Sequence, residues 1–290
     1  MSGFSARWLE LREPFDAAAR SGTAAGALAE LPRRGERLRL VDLGAGTGAN
    51  IRYLAPLLAG RQDWLAVDRD AELLAALPEQ LRRWADDNGG RFRRRGEAIE
   101  VEGDTFTASV ALCRADLFRE PPPLQGAQLV SASALLDLVS AEWLDAILSR
   151  CCSEGAAVLF ALAYDGEIAW RPREEGDALV RELVNRHQRT DKGFGPALGP
   201  AAVDHGAARL RRLGYDVRLG RSDWVIGCGA IAIQQALVDD WSAAARAVSP
   251  RDAGAVDAWR RRRLARLREG TSSLVVGHQD LVGLPPGDGV

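Results

Sequence analysis

The stretch Val41-Asp42-Leu43-Gly44-Ala45-Gly46-Thr47-Gly48 follows the short run Leu38-Arg39-Leu40 and precedes a helical segment at 49–59. An apolar run that ends in clustered glycines reads as a buried parallel strand feeding a tight turn. Glycine lets the backbone turn sharply and come close to a ligand, and the helix that follows offers unpaired N–H groups at its start. The spacing is G-x-G-x-G, with an acid two residues before the first glycine. The dinucleotide fingerprint places its third glycine three residues after the second. A pyrophosphate ligand therefore fits this loop less well.

The rhythm of strand and helix continues on both sides. Trp64-Leu65-Ala66-Val67 reads as a second strand ending at Asp68, followed by a helix at 70–86. Residues 91–95 (RFRRR) read as a basic turn. Alternating segments near 97–102 and 105–112, with Gly103-Asp104 between them, read as a hairpin whose second arm runs on to Asp116. A strand at 128–132, a helix at 140–152 and a strand at 156–162 follow. After Tyr164 the pattern becomes irregular, with one short helix near 174–189. A helix near 201–213, a strand near 215–219, two helical stretches at 229–247 and 252–269, and a strand candidate at 272–276 close the chain. Upstream, 5–31 reads as helical, with Pro14 a break or first-turn residue and Pro32 and Gly35 as punctuation. The alternation predicts an α/β fold with a doubly wound, mostly parallel sheet.

Composition sets bounds. The chain has 290 residues, 47% hydrophobic and 27% charged, with a formal net charge of -2. These are ordinary values for a globular domain and carry no basic footprint for nucleic acid. The first residues lack a long apolar run and carry charge from Arg7, which argues against a secretory signal. No stretch approaches the roughly 20 apolar residues of a membrane helix. Cys113, Cys151, Cys152 and Cys228 show no C-x-x-C spacing. They read as free buried thiols of a reducing cytoplasm rather than disulfides or zinc ligands, and no metal is expected. Of 38 basic residues only Lys192 is lysine. Such arginine bias is expected of a GC-rich bacterial genome and makes the survivor's position notable.

Residues 42–50, D-L-G-A-G-T-G-A-N, resemble the first motif of class I S-adenosylmethionine-dependent methyltransferases. Asp68 stands twenty residues after Gly48. In that family an acid there accepts hydrogen bonds from both ribose hydroxyls, and a carboxylate is a two-pronged acceptor suited to a vicinal diol. Asp116, in Arg114-Ala115-Asp116-Leu117, resembles the acid that contacts the adenine amino group. Ser131-Ala132-Ser133 ends the fourth strand, where the family lines the methyl donor. Each acid alone is equally well a helix N-cap. Together they fall at successive strand ends, where open α/β sheets bind ligands.

The resemblance covers residues 38–163 and implies a Rossmann-like sheet of seven strands in the order 3-2-1-4-5-7-6, with 272–276 as a last, antiparallel strand. It implies S-adenosyl-L-methionine as cofactor, released as S-adenosyl-L-homocysteine. Asp42, Gly44, Ala45, Gly46, Thr47, Gly48, Asn50, Asp68, Arg69, Asp116, Leu117 and Ser133 are the residues expected to hold it. The expected organisation is a single domain over 1–290: a helical cap at 1–35, a cofactor-binding half at 38–163, a substrate loop at 164–200 and a helical insertion at 225–270 before the last strand. That insertion is the departure from the family pattern.

The acceptor side is less legible. Residues 187–200 gather polar groups, Phe194 and three glycines with Lys192. Loops on a rigid scaffold commonly carry binding groups, and a surviving lysine marks a place where guanidinium does not fit, or else chance survival on a solvated loop. His187 is a candidate general base, or a histidine facing last-turn carbonyls. Asp137 is a candidate base or orienter, or an N-cap. Trp170 and Trp224 stack on an acceptor or belong to the core. Methyl transfer asks the protein mainly to align the reacting atoms and exclude water.

The expected acceptor is a small molecule with an oxygen or nitrogen nucleophile. An RNA or protein methyltransferase is one alternative, resting on the basic runs at 91–95 and 260–263. The family's Asn- or Asp-Pro-Pro-aromatic motif for base amines is replaced by Ser131-Ala132-Ser133-Ala134. An NAD(P)-dependent oxidoreductase is another, although no tyrosine stands four residues before Lys192. A scaffold that has lost its ligand is the third.

Overall fold

A computed structural model describes residues 5–31 and 35–286; Pro32 lies outside them. In β1 (Arg37–Leu43) the last four residues are all buried, with Leu40 on one face and Val41 and Leu43 on the other. A strand covered by helices on both faces needs that continuous burial. β1 pairs in parallel with β2 (Gly60–Asp68) on one side and β6 (Leu129–Ser133) on the other. β5 (Phe106–Arg114) extends the sheet beyond β2, and β7 (Ala157–Arg171) extends it beyond β6, both in parallel. β10 (Ser273–Leu284) runs antiparallel between β7 and β8 (Asp216–Arg221). The order β5-β2-β1-β6-β7-β10-β8 is the 3-2-1-4-5-7-6 expected from the resemblance.

The sheet has ten strands rather than seven. β3 (Arg91–Arg95) and β4 (Ala98–Glu102) form an antiparallel meander on the outer side of β5. Residues 91–95 are therefore an edge strand and not a basic turn. β9 (Trp224–Ile226) pairs with the first part of β10. β10 itself runs to Leu284, well past 276, through two register shifts.

Helices α2 (Gly22–Leu28), α3 (Ala49–Leu54) and α4 (Ala71–Asp87) pack on the Leu40 face, and α5 (Ala141–Glu154) and α7 (Ala202–Arg212) on the Val41 face. A third core lies beyond the carboxyl ends of the central strands. It joins α6 (Asp177–Gln188), α8 (Ile231–Val248) and α9 (Ala253–Arg268) to the far half of β7, to β9 and to β10. Trp170 belongs here, edge-on to Trp241 and Trp259 at 6.0 and 6.3 Å. Helix α1 (Ala6–Ala19) leans on this core through Trp8, Leu11 and Phe15, with Pro14 inside the helix and not at a break. The α1–α2 junction is tied to the sheet by Asp280. Its fully buried carboxylate accepts the N–H of Ser21 at 3.0 Å and of Leu162 at 2.9 Å.

All four cysteines are free thiols, but only Cys151 is buried; Cys113 and Cys152 are half-buried and Cys228 is exposed, which corrects the expectation of four buried ones. Among the described residues no helix is long and apolar enough to cross a membrane.

Candidate functional site

A cavity of about 1320 Å³ opens at the carboxyl ends of β1, β2, β5, β6 and β7, with α1 along one side. Gly44, Gly46 and Gly48 all have left-handed backbones, with φ of 67°, 53° and 82°. Their surroundings differ. Gly44 and Gly46 line the cavity. Gly48 starts α3, and a Cβ there would lie 3.0 Å from Leu77 Cγ, so this glycine serves helix packing. Ten of the twelve residues expected at the cofactor reach the cavity: Gly44, Ala45, Gly46, Thr47, Asn50, Asp68, Arg69, Asp116, Leu117 and Ser133. Gly48 and Asp42 do not.

The capping alternatives are answered by geometry. Asp70, not Asp68, caps α4, accepting the N–H groups of Glu72 and Leu73. Asp68 accepts the N–H of Gly46 at 2.8 Å on one oxygen and of Asp70 at 2.9 Å on the other. Each oxygen keeps a second lone pair. Asp116 accepts the N–H of Phe118 at 3.1 Å. Ser140, not Asp137, caps α5.

Asp42 lies beneath the glycine loop, only 1% exposed. Its Oδ1 accepts from Asn50 Nδ2 at 2.6 Å and Ser131 Oγ at 2.7 Å. Burial pushes its carboxyl up to about 6. Asn50 Oδ1 in turn accepts from Arg20 Nη2 at 2.7 Å, and the same nitrogen reaches Ser133 Oγ at 3.2 Å. Sequence reasoning missed Arg20, because one arginine at the end of a charged helix carries no signal. Its Nε and Nη1 are buried without a hydrogen-bond partner, and so is Asp42 Oδ2. Burial pushes the Arg20 pKa down, and the carboxylates of Asp280 and Asp16 oppose that.

The three candidate catalytic residues all line the cavity. Lys192 is 6% exposed, so it is not on a solvated loop. Its Nζ lies 3.2 Å from His187 Nδ1 and 3.0 Å from Thr190 Oγ1. Phe194 anchors this loop, edge-on to Trp143 at 5.4 Å and Phe118 at 6.2 Å. Asp137 sits in a single 3-10 turn and is 5% exposed. Burial pushes its carboxyl up to about 6, against the pull of backbone N–H groups, Arg12 and Lys192. Burial and Lys192 push the His187 pKa down. A charged Lys192 occupies Nδ1, which leaves His187 only its protonated Nε2 and no free acceptor.

Two further groups were not legible. Arg12 is paired with Asp16 at 2.9 Å and lies 5.1 Å over the Trp224 ring, whose Nε1 donates to the same Asp16 at 3.0 Å. His278, 6% exposed, has Nδ1 3.1 Å from Val276 O, so Nδ1 holds the proton and Nε2 is an acceptor. Burial, then Arg12, pushes His278 down to about 3. Two non-glycine residues with left-handed backbones, Ala134 (φ 52°) and Leu162 (φ 55°), also line the cavity. Such strain persists only where surrounding contacts enforce it, and it gathers at functional sites.

No protein-family model matches the chain, and no curated protein matches it in sequence. Among solved structures it is similar to phosphoethanolamine N-methyltransferase 2 of Haemonchus contortus, at 12% identity and a TM-score of 0.47 over 98% of this chain and 59% of that one. It is similar to the YcgJ protein of Bacillus subtilis, at 14% and 0.48 over 91% and 99%. It is similar to the cyclopropane synthase MmaA2 of Mycobacterium tuberculosis, at 10% and 0.44 over 90% and 82%. The chain thus spans 59% of the length of the Haemonchus chain. Likeness at these values assigns no activity.

Proposed function

We propose that the cavity binds S-adenosylmethionine and that the chain catalyses methyl transfer to an oxygen or nitrogen of a small molecule. One observation carries this reading. Beside the glycine loop, a buried guanidinium has two unpartnered donors, and the same hydrogen-bond network holds a buried carboxylate oxygen with no donor. Unpaired buried polar groups are costly. An amino-acid carboxylate set against Arg20, which lines the cavity, would answer the guanidinium, while Asp42 lies outside the lining and supports the network from beneath through Asn50. Asp68 suits the ribose diol and Asp116 the adenine amino group, while Gly44 and Gly46 leave room for close backbone approach.

When bound, S-adenosylmethionine supplies a methyl carbon made electrophilic by its sulfonium. The chain's own residues then align the nucleophile and keep water out. Leu135 and Leu162 give the cavity apolar surface near Ser133. Asp137 accepts the nucleophile's proton, since a carboxyl held near 6 is matched to neutral operation. Lys192, held by His187 and Thr190, is a positioning residue that keeps Asp137 ionised.

The basic runs give the nucleic-acid alternative little support. Arg260 pairs with Asp239 at 2.6 Å, Arg263 with Asp177, and Arg262 and Arg266 with Glu174. Arg93 pairs with Glu100 at 3.2 Å across the edge hairpin. Three of the four arginines at 260–263 are thus answered within the fold, and paired charges are poor counterions for a phosphate backbone. Calorimetric titration tests the proposal: S-adenosylhomocysteine binds and NAD does not. Binding of NAD alone would establish the oxidoreductase, and binding of neither would leave a scaffold.

A further inference from the structure

Resting on that reading, we propose that the methyl acceptor is an amine that enters as its ammonium cation, held in the aromatic and acid-edged chamber between α1, α8, β9 and the far half of β7. Ligand pockets commonly occupy about 300–1,000 Å³. The cavity here, about 1320 Å³, is larger than one cofactor requires. Its part away from the glycine loop is walled by Trp8, Tyr164, Trp224 and Trp241. Aromatic faces attract cations through the ring quadrupole. Trp8 and Trp224 meet edge to face at 6.5 Å and 62°, and Tyr164 and His278 at 6.2 Å and 66°, arrangements that do not stack one ring face on another. The chain already uses one of these rings in this way, with Arg12 over Trp224.

The charges select the sign of the guest. Arg12 is answered by Asp16 through two nitrogens, at 2.9 and 3.1 Å. Lys192 is held by His187 and Thr190 and faces Asp137. His278 is neutral at physiological pH and offers only an acceptor. Arg20 belongs to the cofactor end. Asp240, an exposed residue of α8 at the rim of the cavity, has no ion-pair partner among the described residues, while its neighbour Asp239 takes Arg260. At the acceptor end Arg12 is answered by an ion pair, Lys192 faces Asp137, and Asp240 is an unpaired acid at the rim. Burial, then Asp239, raises the Asp240 pKa, and a bound cation would reverse that.

The chemistry follows. The ammonium nitrogen loses one proton to the Asp137 carboxylate. The freed lone pair forms the N–C bond to the methyl group as the C–S bonding pair stays with sulfur. The charge returns to nitrogen, so the product is again an ammonium suited to the same walls.

The test uses an isosteric set on the full chain saturated with S-adenosylhomocysteine: choline, its neutral carbon analogue 3,3-dimethylbutan-1-ol, and the anion 3,3-dimethylbutanoate. Binding is read by calorimetry and by quenching of tryptophan fluorescence. Choline is expected to bind at least tenfold more tightly than the alcohol, with Asp240→Asn shrinking that preference and the anion excluded. Equal affinity for choline and the alcohol, undetectable choline binding, or a preference for the anion overturns the proposal. A parallel titration of S-adenosylhomocysteine separates the two readings. Cofactor binding without choline binding removes only the substrate class, and choline binding without cofactor binding removes only methyl transfer.

Discussion

The N–H of Gly46 donates to Oδ2 of Asp68 at 2.8 Å, so the glycine loop and the acid at the end of the second strand are one hydrogen-bonded unit. Asp68 both shapes the loop and presents free lone pairs to the cavity, and two substitutions separate these roles. Asp68→Ala loses both and is expected to weaken S-adenosylhomocysteine binding by at least tenfold. Asp68→Asn keeps one acceptor oxygen for Gly46 and loses only part of the diol contact, so its affinity falls between wild type and alanine. Both variants are expected to stay folded. A folded Asp68→Ala protein with unchanged affinity would remove Asp68 from the cofactor site.

In the proposed complex Arg20 would hold the amino-acid end of the ligand. Charge-assisted hydrogen bonds contribute about 1.5–3 kcal/mol, so Arg20→Met should weaken S-adenosylhomocysteine by roughly 10- to 100-fold. 5′-Methylthioadenosine lacks that amino-acid end, and its affinity should not change. If both ligands weaken equally, Arg20 supports the fold and not the carboxylate.

Gly48 is expected to answer differently from Gly46. A Cβ at Gly48 meets Leu77 at 3.0 Å, inside the packing of α4, and its φ of 82° is costly for alanine. Gly48→Ala should destabilise the fold by about 1–3 kcal/mol. A Cβ at Gly46 meets only the Leu9 side chain of α1, at 3.1 Å, on the cavity side. Gly46→Ala should cost more in cofactor affinity than in stability. Denaturation midpoints and ligand titrations of both variants decide this, and a reversed pattern would exchange the two roles.

The central strands were legible because burial on both faces leaves continuous apolar runs ending at glycine or acid. β3 was not, since Arg91–Arg95 is an edge strand with only Phe92 apolar and no alternation to read. β10 was cut short at 276 because Gly277, His278, Gln279 and Asp280 break the apolar run. In the fold those polar residues have partners: Asp280 accepts two backbone N–H groups, and the His278 N–H reaches Asp223. The end of the cavity proposed for the cofactor was legible as a glycine loop and acids at fixed strand ends, the pattern that close backbone approach demands. The end proposed for the acceptor was not, because Trp8, Arg12, Trp224, Asp240 and His278 come from three distant stretches that only α1, α8 and the β9–β10 pair bring together.

Asp137 links stability to pH. Its folded carboxyl titrates near 6, above the ordinary 3.8, so the fold holds that proton more tightly than the unfolded chain does. The contribution is therefore complete below pH 3.8, is lost as pH rises to about 6, and is constant above. It is worth about 3 kcal/mol. Asp137→Asn has no such proton, so between pH 4 and pH 7 it should gain about that much relative to wild type in urea unfolding. Methyl transfer should fall by roughly 10²- to 10⁴-fold, the span for a lost general base. Parallel pH dependence in the two proteins would show that Asp137 is not perturbed.

Lys192 gives a test that packing alone cannot mimic. Its Nζ sits within 3.2 Å of His187 and 3.0 Å of Thr190 in a pocket that leaves it 6% exposed. The larger planar guanidinium of Lys192→Arg overfills that space, so turnover should fall more than cofactor affinity does. The charge has its own signature. Lys192 pulls the Asp137 carboxyl down, and removing that pull in Lys192→Met should move the acid limb of kcat/KM to higher pH. Lys192→Arg retains a cation and should leave the limb closer to wild type despite slower turnover. If Lys192→Met is slow with an unmoved acid limb, Lys192 only holds the loop in place, and the proton is taken by a group other than Asp137. Wild-type turnover in Lys192→Arg would mean that the lone lysine survived by chance.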